Sequence, residues 1–149
     1  MSHTQTNCKF LVIGYGNTLR GDDGVGPRVA DAIDERQLPG VKTLACPLLT
    51  PELADPISQA ETVVFVDAAV DAPREVQLRP LAPAPTLQVM AHAASPATML
   101  ALARDVFGHS PKAWLLTIPV QEMGIGEELS PLAQAGLSAA IKLLLLLAG

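Results

Sequence analysis

The chain has 149 residues, a formal net charge of -5, 49% hydrophobic residues and 17% charged ones. It is long enough to bury a core and too apolar to be disordered. The acidic balance, with no basic stripe to neutralise phosphates, argues against a nucleic-acid partner.

Lys9 to Gly14 reads as a buried strand, short, apolar and stopped by glycine. Val25 to Glu35 reads as a helix, with Val25, Val29, Ala32 and Ile33 on one face and Pro27 tolerated in its first turn. Val41 to Ala45 is a short second strand. Pro51 to Gln59 reads as a helix capped by Thr50, weakened by Pro56. Thr62-Val63-Val64-Phe65-Val66 is continuously apolar, as a central strand covered on both faces should be, and it ends on Asp67. Glu75 to Leu81 alternates like a strand near an edge.

Ser95-Pro96 is a cap followed by proline, opening a helix to about Phe107 that Gly108 stops. Ala113 to Ile118 is another strand, and Ser130-Pro131 opens a last helix to about Leu147. Strands alternating with helices predict an α/β fold: a three-layer α/β/α sandwich around a mostly parallel, twisted sheet of about five strands. No repeat or long linker divides the chain, so residues 1–149 read as one domain.

Cys8 and Cys46 are the only cysteines, too few for a disulfide framework or a thiolate zinc site. The N-terminal stretch lacks the order of a signal peptide. The Leu143–Leu147 run is too short to span a bilayer, which needs about 20 apolar residues; burial in the core is its expected fate. A soluble cytoplasmic protein with no membrane partner is the expectation.

In a parallel sheet, ligands gather beyond the carboxyl ends of the strands. Asp23 follows the first strand and Asp67 closes the central one, so they share an edge if those strands are neighbours. His92 lies before the Ser95-Pro96 helix start. Two carboxylates and an imidazole suit a divalent metal such as nickel or zinc. Other roles stand beside that one. Asp22 and Asp23 precede a helix and could cap it, Asp67 could bond turn amides, and His92 could be structural.

The glycines of Gly14-Tyr15-Gly16 suggest a nucleotide loop, but Leu19 stands where the dinucleotide fingerprint needs its third glycine. The Walker Gly-Lys-Ser/Thr is absent too, and two aspartates repel phosphate. No Gly-x-Ser-x-Gly elbow or paired nucleophile is present.

Gly14-x-Gly16-Asn17-x-Leu19-x-x-Asp22-Asp23-Gly24-x-Gly26, then Val64-Phe65-Val66-Asp67-Ala68, then His92-x-x-Ser95-Pro96, resembles the hydrogenase maturation proteases. These endopeptidases trim the C-terminus of the large subunit of nickel–iron hydrogenases. The resemblance runs through Leu129-Ser130-Pro131 and implies one α/β/α domain. It implies Asp23, Asp67 and His92 as metal ligands, with Asp23 and Asp67 as the candidate catalytic carboxylates; many relatives carry Glu where this chain has Asp23. The implied partner is a hydrogenase large-subunit precursor, and the implied nickel is supplied by that precursor as a recognition handle. Two routes of cleavage stand open, one metal-linked and one with a carboxylate as general base. The alternative is a nickel-sensing or chaperone module that binds the precursor without cutting it.

Overall fold

A computed structural model describes residues 8–70, 73–85, 95–121 and 124–149. The strands are β1 (Cys8–Tyr15), β2 (Val41–Cys46), β3 (Ala60–Ala69), β4 (Gln77–Pro80) and β5 (Lys112–Pro119). The helices are α1 (Val25–Asp34), α2 (Ala54–Ser58), α3 (Pro96–Phe107) and α4 (Pro131–Ala148). One sheet runs in the order β2-β1-β3-β5-β4. All neighbours are parallel except β4, which pairs antiparallel with β5 at an edge.

The continuous apolar runs of β1 and β3 follow from this order, because both strands are covered on both faces. Val12, Val64 and Val66 pack with Val25, Val29 and Ile33 of α1 and Ala140 and Leu144 of α4. Leu11, Ile13, Val63 and Phe65 face the other way, against Ile57 of α2 and Met99, Leu100 and Ala103 of α3. Period-2 alternation thus splits each central strand between two helical layers, and the three-layer sandwich expected from the sequence is the one observed.

Several boundaries differ from the sequence reading. β3 does not stop at Asp67 but continues to Ala69, because β5 still pairs with it there: Asp67↔Thr117, Ala68↔Ile118 and Ala69↔Pro119. The 51–59 segment begins as a 3-10 turn, Pro51–Leu53, and becomes α-helical only at Ala54. Thr50 is extended as a cap should be, but its side chain accepts no capping bond. The two Ser-Pro starts are as read. Ser95 Oγ accepts from Thr98 N–H at 3.1 Å, and Ser130 Oγ from Ala133 N–H at 3.1 Å. Gly108 ends α3 in the left-handed conformation at φ 80°.

The leucine run is only partly core. Ala133, Gly136, Ala140 and Leu144 form the buried stripe of α4, whereas Leu146 is 80% exposed. A helix lying on one face of a sheet can bury one side, and five consecutive leucines span all sides. The apolar segment is also longer than those five residues. The 18 residues of α4 have a mean hydropathy of 1.7, long and apolar enough by those measures to cross a membrane; a buried core helix passes the same measures.

Candidate active site

The sheet reverses its winding between β1 and β3. From β1 the chain passes through α1 to β2 on one side, then through α2 to β3 on the other. Helices leaving on opposite sides open a crevice at the carboxyl ends of these two strands. The neighbour relation that would bring Asp23 and Asp67 to one edge is therefore present.

Register explains what lines the crevice. The β1–β3 pairing ends at Gly14↔Val66, while β2 still pairs at Tyr15↔Cys46 and β5 at Asp67↔Thr117. Tyr15 and Asp67 are the next residues on their strands and fall side by side on one face. With Gln77↔Thr117 on the outer strand, a polar row crosses the sheet: Cys46, Tyr15, Asp67, Thr117, Gln77. Directly below it the row Ala45, Gly14, Val66, Leu116 and Leu78 is apolar or glycine. The core ends there and the chemistry begins.

The loop after β1 is held close to that row. Gly16 has φ 143°, outside the ordinary range of L-residues, and a Cβ on it would stand 2.0 Å from the Asp23 carbonyl oxygen. A Cβ at Gly26 would meet the Val66 and Tyr15 carbonyl oxygens at 2.7 and 2.8 Å. The α1 start is thus pressed onto the strand ends. Gly26 serves that close approach.

Asp22 and Asp23 divide the work. Asp22 is fully buried. Its Oδ1 accepts from Ser130 N–H at 2.7 Å, and its Oδ2 accepts from the Ser130 hydroxyl at 2.6 Å and from Gln121 N–H at 2.8 Å. Ser130 in turn caps α4, so Asp22 ties the β1 loop to the last helix. Asp23 is half-buried, and its Oδ2 accepts from Asn17 N–H at 2.7 Å. Neither aspartate caps α1, whose N-cap is Gly24 without a side-chain bond. The Asn17 amide that a phosphate would need is already taken by a carboxylate.

Asp67 is half-buried, and burial pushes its carboxyl above the ordinary carboxylate range. The Tyr15 hydroxyl and the Ala68 N–H, hydrogen-bonded to it, pull it back down, and the negative charge of Asp23 raises it again. Burial, then the Asp67 charge, pushes the Tyr15 hydroxyl up, so that it stays protonated and donates to Asp67. Tyr15 is a site residue that motif reading passes over between two glycines. The signal for it is positional: it follows Gly14 as Asp67 follows Val66.

The two carboxylates are oxygen donors of the kind a divalent cation takes. Two carboxylates lie close enough to feel each other's charge, and one is held at a cost that a cation would relieve. His92 lies outside the described residues, and among the described residues no three His, Cys, Asp or Glu side chains form a metal-binding group.

Two expectations follow for Asp67. A raised carboxyl means the folded state holds its proton more tightly than the unfolded one. The associated stability is full below the ordinary carboxylate range and is lost as pH rises through the raised value. At neutral pH the metal-free protein therefore carries a charged, partly desolvated Asp67, and Asp67→Asn removes that cost. Thermal melts should show the Asn variant higher than wild type at pH 7.5, the direction expected when a partly desolvated charge is neutralised. The gain should shrink toward pH 4. Tyr15→Phe deletes a donor to a charged group, worth about 1.5–3 kcal/mol. It should keep the fold, lower activity about tenfold and move the acid limb of the pH–rate profile upward.

No family model and no curated protein sequence matches the chain; its likeness is to solved structures. The fold is the one found in solved hydrogenase maturation proteases, and that likeness supports a peptidase. The chain is 25% identical to the hydrogenase 2 maturation peptidase of a Thaumarchaeota archaeon, with a TM-score of 0.68 over 95% of this chain and 98% of that one. It is also 25% identical to the NiFe hydrogenase maturation protease HybD of Thermococcus kodakarensis, with a TM-score of 0.71 over 95% and 99%. The hydrogenase maturating endopeptidase HybD of E. coli, at 22% identity, has the same fold, with a TM-score of 0.71 over 91% and 89%. The resemblance read from the three sequence blocks is thus matched by the fold over nearly the whole chain.

Proposed function

We propose that this chain is the endopeptidase that removes the C-terminal extension of a nickel-loaded hydrogenase large-subunit precursor. One observation carries the reading. In a fold shared with hydrogenase maturation proteases, Asp23 follows β1 and Asp67 lies on its neighbour β3 at the switch point of the sheet, near enough for the Asp23 charge to raise the Asp67 carboxyl. The nickel belongs to the precursor and acts as the recognition handle. Asp23, Asp67 and His92 reach it as oxygen and nitrogen ligands, and the two aspartates also serve the cleavage.

Hydrolysis consumes one water. Its oxygen bonds to the scissile carbonyl carbon, the C–N bond breaks, and the departing amine leaves with a proton. Asp67 suits the carriage of that proton, because burial raises its proton affinity above that of an ordinary carboxylate. Tyr15 holds the Asp67 carboxylate in place by its hydroxyl. Asp23 is oriented by the Asn17 amide.

The test mixes purified protein with precursor prepared with and without nickel and follows the large subunit by gel mobility. The nickel-loaded form should shorten and the nickel-free form should not. Equal shortening of both would remove nickel from the recognition step.

A further inference from the structure

Four polar or charged residues are buried among those described: Asp22, Thr98, Thr117 and Ser130. Three of them have partners. Asp22 and Ser130 bond to each other, and Ser130 also caps α4. Thr98 shares a hydrogen bond of 2.7 Å with Ser95 at the start of α3. Thr117, 8% exposed, has no side-chain hydrogen bond among the described residues. The wholly enclosed side-chain atoms without a partner there are Arg28 Nε and Ser110 Oγ, so the Thr117 oxygen keeps part of the little surface its residue exposes. The fold gains nothing from that oxygen, since valine would fill the same volume. Thr117 is the β5 partner of Asp67, and the two side chains lie side by side on one face. Asp67 thus has a hydroxyl-bearing residue on each side. The Tyr15 hydroxyl is bonded to the carboxylate, whereas that of Thr117 is not. Val66 and Leu116, one row below, are buried and apolar, so the polar row is the rim of the crevice.

We propose that Thr117 binds substrate, its hydroxyl donating to a backbone carbonyl of the precursor beside the scissile peptide group. The proposal rests on the peptidase reading. Adjacent strands stand about 4.8 Å apart, and successive Cα atoms of a chain about 3.8 Å. A peptide group held at Asp67 therefore brings the neighbouring group within reach of Thr117. That neighbouring carbonyl does not react, so the bond is equally strong before and during the chemical step. It contributes to binding and leaves the rate of bond breaking to the aspartates.

The test follows cutting of nickel-loaded precursor over a range of precursor concentrations and pH, with melting curves beside it. Wild type is compared with Thr117→Val, which keeps the volume and deletes the hydroxyl, and with Thr117→Ser, which keeps the hydroxyl. Thr117→Val should raise KM about five- to tenfold, the effect of one lost hydrogen bond, and leave kcat within about twofold. Its melting point should not fall, because no bond within the protein is lost. The acid limb of its pH–rate profile should stay in place, because Thr117 does not bond Asp67. Thr117→Ser should stay within about twofold of wild type in KM. An unchanged KM in Thr117→Val, a lower melting point, a displaced acid limb, or a serine variant as impaired as the valine one would overturn the contact and leave the peptidase reading standing. Wild type that leaves the precursor whole would overturn both.

Discussion

Asp22→Ala should be the most destabilising polar substitution in the site region, lowering the melting temperature by about 6–12 °C. The carboxylate is fully buried and accepts from two backbone amides and one hydroxyl. Its removal strands the Ser130 and Gln121 N–H groups and releases the Ser130 hydroxyl that orients the α4 cap. Losing bonds to a charged acceptor and leaving buried donors unmet costs about 3 kcal/mol or more, and each kcal/mol moves the melting point of such a domain by about 2–4 °C. Ser130→Ala should show a smaller loss of about 1–2 kcal/mol, as one bond and the cap disappear together. Differential scanning calorimetry on the two variants checks both values. A melting point for Asp22→Ala within 2 °C of wild type would contradict the staple.

The neighbouring residue should behave in the opposite way. Asp23→Ala removes one exposed-side contact, the bond from Asn17 N–H, and should leave the melting point nearly unchanged. Its processing rate should nevertheless fall about a thousandfold, within the range for losing a group that acts on the reacting centre. Asp67→Ala should match that loss. Because the two carboxylates act on one ligand, the double variant should be little worse than either single one. Single-turnover processing of nickel-loaded precursor, set beside the melting curves, separates the catalytic pair from the structural aspartate. Adjacent positions in Asp22-Asp23 should thus give contrasting phenotypes, one in stability and one in rate.

The order of the elements was legible because each carries its own local signal. The apolar runs of 10–13 and 62–66 mark strands covered on both faces, and the Ser-Pro pairs at 95 and 130 mark helix starts. Asp23 and Asp67 were legible as site candidates because charge after an apolar strand is unusual in a parallel sheet. What separates Asp22 from Asp23 was not legible. That distinction depends on Ser130, 108 residues away in sequence, and no local pattern encodes a contact at that distance. Tyr15 was missed for a related reason, since its pairing with Asp67 needs the β1–β3 register. The end of β3 was misplaced because a charged residue reads as a stop, although β5 continues the ladder past it. The exposure of Leu146 likewise depends on how α4 lies on the sheet. Local chemistry names the candidates, and tertiary geometry assigns their roles.

The central claim is that the crevice between β1 and β3 cuts a peptide bond rather than merely binding the precursor. Intact-mass spectrometry of the nickel-loaded large subunit, incubated with wild type and with the Asp23→Ala/Asp67→Ala variant, tests it most directly. The account predicts one discrete loss of mass from the C-terminus with wild type and an unchanged precursor with the variant. A stable complex with wild type in which the precursor keeps its full mass, or equal trimming by the double variant, would contradict it.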